Sequence, residues 1–160
     1  LRPQPRGGLR GVGVRPRGRV VTDELVLRLT RDAYDDIVSH GQEGGDEEVC
    51  GVLAGAYGES ASAVRETRRA TNVADRARLR YEMDSEEQFA LIEQVEDDGL
   101  EVVGFYHSHP TGPPRPSETD AEGATWPGYS YVICALEGYP YLGSWRWTGE
   151  TFERETVALI

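Results

Sequence analysis

From residue 25 onward, apolar residues fall in short blocks separated by Gly, Pro and charged clusters, and the period of each block predicts an element. Residues 25–29 read as a strand, and Thr30 is placed to cap a helix running to about His40, with Tyr34, Ile37 and Val38 on one face. His40 itself has no assigned role. Strands are predicted at 49–54, 61–67 and 78–83, the last from its alternation. Ser85-Glu86-Glu87-Gln88 reads as a capping box, Phe89, Ile92 and Val95 as the stripe of a second helix, and Gly99 as its stop. Residues 101–106, rich in Val and aromatics, read as a buried strand. Three more strands follow at 129–136, Tyr141–Trp147 and 152–160. The order predicts an α/β domain, a mixed sheet flanked by helices, with no internal repeat.

The pattern is missing from the first segment. Residues 1–19, rich in Arg, Gly and Pro, predict a disordered tail or extension, so the chain divides into 1–24 and a single domain at 25–160. Charge separates the two parts. The first 20 residues hold six Arg and no acid, whereas residues 21–160 hold 11 Arg against 28 acids, a net charge of -17. Lys is absent throughout. Excess acid with no Lys is the composition expected of a protein working in high salt, where self-repulsion is screened. Such a surface argues against nucleic acid as a partner, since phosphate binding needs basic patches. No apolar run has the length of a signal segment or a bilayer span, and the expectation is a soluble, cytoplasmic protein with no membrane partner. Cys50 and Cys134 lie in apolar strand-like runs and read as small hydrophobes, their pairing undecided. Tyr141, Trp145 and Trp147 read as core or sheet surface. Oligomeric state is not legible.

Chemistry concentrates in Gly104-Phe105-Tyr106-His107-Ser108-His109-Pro110 and in Ser117 and Asp120. On a strand, His107 and His109 point to one face and Ser108 to the other. Ser117-Glu118-Thr119-Asp120 reads as a helix start with Ser117 at the N-cap and Asp120 at N3, from which one turn brings the carboxylate back toward the imidazoles. A His pair ending a strand and an Asp capping a helix are each unremarkable alone. Together they give two nitrogens and one oxygen, the ligand set of a catalytic zinc with one open position, although non-haem iron shares it.

These residues resemble the JAMM (MPN+) metalloproteases. That family's motif is an upstream Glu, then His-x-His-Pro, six residues, Ser, two residues and Asp; here His109-Pro110, 111–116, Ser117, Glu118-Thr119 and Asp120 fall in register. The family's Glu-x-Cys-Gly strand start is matched by Glu48-Val49-Cys50-Gly51. Glu47 competes, but one residue earlier on a strand it faces the other side. The resemblance implies a three-layer sandwich of cytidine-deaminase-like layout, one zinc per chain on His107, His109 and Asp120, Glu48 as general base, and Ser117 holding the tetrahedral intermediate. It implies an isopeptidase acting on conjugates of ubiquitin-like modifiers, similar to archaeal desampylases of halophiles, which remove small archaeal modifier proteins. A peptidase acting on a sulfur-carrier conjugate is the alternative, and a noncatalytic scaffold domain is disfavoured because all ligands are present. An extended Gly-Gly tail is expected to pair with a strand edge at 76–83, and Arg115, in a loop with three prolines, is a candidate contact to the modifier.

Overall fold

The computed structural model describes residues 24–160. The expected tail therefore lies outside the described residues. Among the described residues, seven strands and three helices follow one another: β1 (Val26–Leu29), α1 (Arg31–Glu43), β2 (Cys50–Ala56), β3 (Ala61–Ala70), α2 (Ser85–Asp97), β4 (Glu101–His109), α3 (Glu118–Gly123), β5 (Ser130–Ala135), β6 (Tyr141–Trp147) and β7 (Phe152–Leu159). The sheet is mixed. Its order is β1-β3-β2-β4-β5-β6-β7, and β1 pairs in parallel with both β3 and β7, so the sheet closes. Closure modifies the layered sandwich that the resemblance implied. The four residues of β1 supply the seam, accepting partners on both sides instead of leaving two edges.

Alternation along the central strands divides two cores between the faces. Leu53 of β2, Tyr106 of β4 and Val132 of β5 pack with Ala33 and Ile37 of α1, while Val52, Phe105 and Tyr131 pack with Leu91 and Val95 of α2. A register shift between Leu53 and Ala54 leaves Val103 of β4 without a partner on β2. This bulge changes the parity of β4, so Val103 joins Tyr106 on the α1 side while Val102 joins Phe105 on the other. Two residues before that shift, Gly51 allows close approach, since a Cβ there would sit 2.3 Å from the Tyr106 ring and 2.6 Å from the Arg68 carbonyl.

Thr30 caps α1 as expected, its hydroxyl accepting the Ala33 N–H. His40, read as incidental, is buried and its Nδ1 lies 2.7 Å from the Tyr106 hydroxyl. Burial, with the Arg69 charge nearby, lowers its pKa to about 4, so it is neutral at physiological pH. The cap of α2 is Asp84, one residue before the expected Ser85, and its carboxylate accepts the Glu87 N–H. Leu91 and Val95 are the buried positions, whereas Phe89 is 63% exposed. Phe89 sits two residues from Leu91, about 200° around the helix, and cannot share its face.

The strand expected at 78–83 does not form. Only an isolated bridge joins Met83 to Asn72, and Leu79 and Arg80 instead donate backbone N–H groups to the Arg76 carbonyl in a turn. The Asn72 side chain takes the N–H groups of Ala74 and Glu82 that a ladder would have used. Cys50 and Cys134 are buried free thiols. Among the described residues, no helix is long and apolar enough to cross a membrane.

Candidate active site

The sheet register brings the site together. β2 and β4 are antiparallel with Cys50 opposite His107, so the residue two positions before Cys50 comes opposite His109 and on the same face. That residue is Glu48. It is buried, and Glu47 is exposed. Ser108 points to the other face and accepts the Val49 N–H at 2.9 Å, tying the end of β4 to the start of β2. The loop after β4 then returns through four prolines, Pro110, Pro113, Pro114 and Pro116, to α3. Ser117 is its N-cap and the capping box is complete: the Ser117 hydroxyl accepts the Asp120 N–H at 3.0 Å, and Asp120 Oδ2 accepts the Ser117 N–H at 2.9 Å. The box fixes the carboxylate facing the His pair.

Glu48, His107, His109 and Asp120 each offer an atom, all within 4.8 Å of one another. His107 Nε2 lies 3.2 Å from His109 Nε2 and 3.2 Å from Asp120 Oδ1, and His109 Nε2 lies 3.1 Å from Asp120 Oδ2. His109 Nδ1 donates to the Pro113 carbonyl at 2.9 Å, which leaves Nε2 as the lone-pair nitrogen aimed at the cluster. The proline loop thus sets a tautomer as well as a turn. His107 Nδ1 has no partner, and its ring is held by burial and by the Tyr81 ring stacked on it at 4.4 Å. Glu48 Oε1 is likewise buried without a partner.

Electrostatics follow from burial and proximity. Burial raises the Glu48 pKa to about 7, opposed by the His109 charge and reinforced by Asp120. Burial would also raise Asp120, but hydrogen bonds from His107 and His109 outweigh it and hold this carboxyl well below the usual range. Burial lowers His107, whereas for His109 the bonds to Asp120 and Pro113 overcome burial and raise it. Two imidazole nitrogens and a carboxylate crowded this closely, beside an orphaned carboxylate oxygen, fit a divalent cation better than any arrangement of protons. The donor set is nitrogen and oxygen without thiolate; Cys50 is buried and its thiol is pushed up to about 12, mainly by burial.

Residues 30–148 match the family described as prokaryotic homologs of the JAB domain. The chain belongs to this family. Over 137 residues it is 46% identical to a desampylase of Haloferax volcanii, covering 83% of this chain and 96% of that protein. A CysO-cysteine peptidase of Mycobacterium tuberculosis is 34% identical over 108 residues, 68% of this chain and 72% of that protein. The solution structure of a Desulfitobacterium hafniense protein superposes with a TM-score of 0.77 at 26% identity, covering 84% of this chain and 93% of that one. The JAB-domain match spans every residue of the cluster, from Glu48 to Asp120.

Sequence reasoning missed two neighbours of the site in this JAB-family chain. Tyr81 covers His107, and its only sequence signal is the strand-like alternation of Leu79, Tyr81 and Met83. Asn72 bonds to the Glu48 carbonyl and left no signal of its own. Arg115 is exposed and lines a surface cavity with Tyr139, Tyr141 and Arg154.

Proposed function

We propose that this chain is a zinc-dependent isopeptidase that hydrolyses the amide between the Gly-Gly terminus of a ubiquitin-like modifier, of the small archaeal modifier class, and a lysine side chain. The observation that carries it is the convergence of Glu48 on His107, His109 and Asp120 within 4.8 Å. Identity of 46% to a desampylase supports the substrate class. His107, His109 and Asp120 would hold one zinc ion. When bound, that ion supplies Lewis acidity and makes water nucleophilic near neutral pH.

The chain's own groups do the rest. Glu48 takes the proton of the attacking water and delivers it to the departing lysine amine, and burial, which raises its carboxyl in the metal-free chain, favours its holding that proton in between. Ser117 donates a hydrogen bond from its hydroxyl to the oxyanion forming on the attacked carbonyl, its acceptor side being already taken by the Asp120 N–H. A cleft of about 430 Å³ runs beside Asp120 between Arg80–Tyr81–Glu82–Met83 and Trp126, with Phe105 and Tyr131 in its lining. Two glycines without side chains allow an extended tail to reach the site through it. Arg115 is a candidate contact for the body of the modifier.

A modifier joined to a lysine through its Gly-Gly terminus should be released by this chain and preserved when a zinc chelator is added, as read by mass spectrometry. Persistence of the conjugate with stoichiometric zinc bound would sink the proposal. The similarity to a CysO-cysteine peptidase favours a second reading, removal of a C-terminal residue from a sulfur-carrier protein. A carrier bearing a C-terminal cysteine, assayed alongside the lysine conjugate, separates the two. Two free buried thiols support a reducing, cytoplasmic setting, and the acidic, Lys-free composition supports a high-salt one.

A further inference from the structure

The segment between β3 and α2 has little regular structure, yet its fold converges on one side chain. Asn72 Nδ2 donates to the Glu48 carbonyl at 2.9 Å and to the Arg80 carbonyl at 3.0 Å, while Asn72 Oδ1 accepts the N–H groups of Ala74 and Glu82, each at 3.0 Å. Two of these four bonds grip the backbone on either side of Tyr81. A third holds the carbonyl of Glu48, whose N–H donates in turn to Ala77 of the same segment at 2.7 Å. The ring so gripped is the one stacked on His107, and His107 Nδ1 has no hydrogen bond to orient it. His109 has the Pro113 carbonyl for that purpose.

We propose that Asn72 is a positioning residue that sets two groups of the site at once: Glu48 through its own backbone, and His107 through the Tyr81 ring. The amide suits the role because one planar group presents two donors and an acceptor, and here it uses them on three strands of backbone that no ladder joins. Asp at this position would keep the acceptor for Ala74 and Glu82 but turn an oxygen toward the Glu48 and Arg80 carbonyls. Removing a group that orients a metal ligand typically costs about 10- to 100-fold in metal affinity or activity.

The segment carries Arg76, Arg78 and Arg80, all exposed, so trypsin reads its opening directly. Asn72→Ala and Asn72→Asp should be nicked after these arginines at least about tenfold faster than the wild type, with fragments assigned by mass spectrometry. They should bind zinc about 10-fold more weakly in chelator competition and lose about 10- to 100-fold in kcat, with KM within about threefold. Val73→Ala, an exposed position of the same segment outside 76–83, should match the wild type in all three. Tyr81→Phe should keep zinc affinity and Tyr81→Leu should lose it, a pair that decides the matter if neither Asn72 variant folds. Unchanged nicking, or faster nicking with wild-type zinc affinity and kcat, would overturn the proposal, as would equal zinc affinity in the two Tyr81 variants. The kcat arm rests on the isopeptidase reading, whereas the proteolysis and zinc arms do not, so failure of one is distinguishable from failure of the other.

Discussion

Glu48 shows how surroundings can suit a carboxylate to the proposed role of general base. Burial lifts it from an ordinary value of 4.5 to about 7. Replacing it by Gln should abolish turnover while zinc stays bound, whereas His107→Ala should lose both, checked by conjugate cleavage and by metal analysis of the same samples. The raised pKa also has a sign for stability. In the metal-free folded chain the ionised form is disfavoured, so this group costs nothing below about pH 4.5 and its full penalty is felt once pH has risen through 7. Metal-free Glu48→Gln should therefore be more stable than metal-free wild type at pH 8, by about 1–3 kcal/mol in urea unfolding, and equal to it at pH 4. The preference for Glu48 over Glu47 was legible only from two cues together, strand parity and the Glu-x-Cys-Gly register that the JAMM resemblance supplied. Tyr81 and Asn72 were not, because their contacts depend on how a loop folds back across 24 to 26 residues of sequence.

Among the elements, α3 shows the economy of the site. None of its six residues is fully buried and only Ala121 packs against the core, so the capping box carries much of its hold. Ser117→Ala should cost about 1 kcal/mol of stability through the lost cap, and about 10²- to 10³-fold in kcat through the lost oxyanion donor. Asp84→Ala, which removes the cap of α2, should show a similar stability loss with kcat unchanged, and comparing the two variants separates cap from catalysis. Strand and helix positions were mostly legible, with Tyr141–Trp147 read to the residue and β4 extending three residues further to include both histidines. The failures had local causes. Residues 78–83 alternate like a strand, but Asn72 consumes the hydrogen bonds a ladder needs, and Phe89 is apolar yet stands on the far side of α2 from Leu91.

At the scale of the molecule, charge and closure act together. With 11 Arg against 28 acids in residues 21–160, the domain repels itself and any acidic substrate until salt intervenes. At 1 M salt the Debye length is only about 3 Å, so cleavage should be retained or enhanced in molar KCl relative to dilute buffer. Best activity in dilute buffer would count against that setting. Exposed ion pairs such as Arg69–Glu43 weaken in the same salt, whereas Arg146–Glu155 is buried at 2.8 Å, with Ser130 and Ser144 donating to the same carboxylate, and is shielded from it. Closure of the sheet was not legible, because it depends on a four-residue strand finding partners 35 and 130 residues away. Its consequence concerns solubility. Concentrated salt that screens repulsion also drives apolar surfaces together, and under those conditions an unpaired strand edge becomes an adhesive template for another copy. By giving every described strand two neighbours, β1 removes that template where charge can no longer keep copies apart.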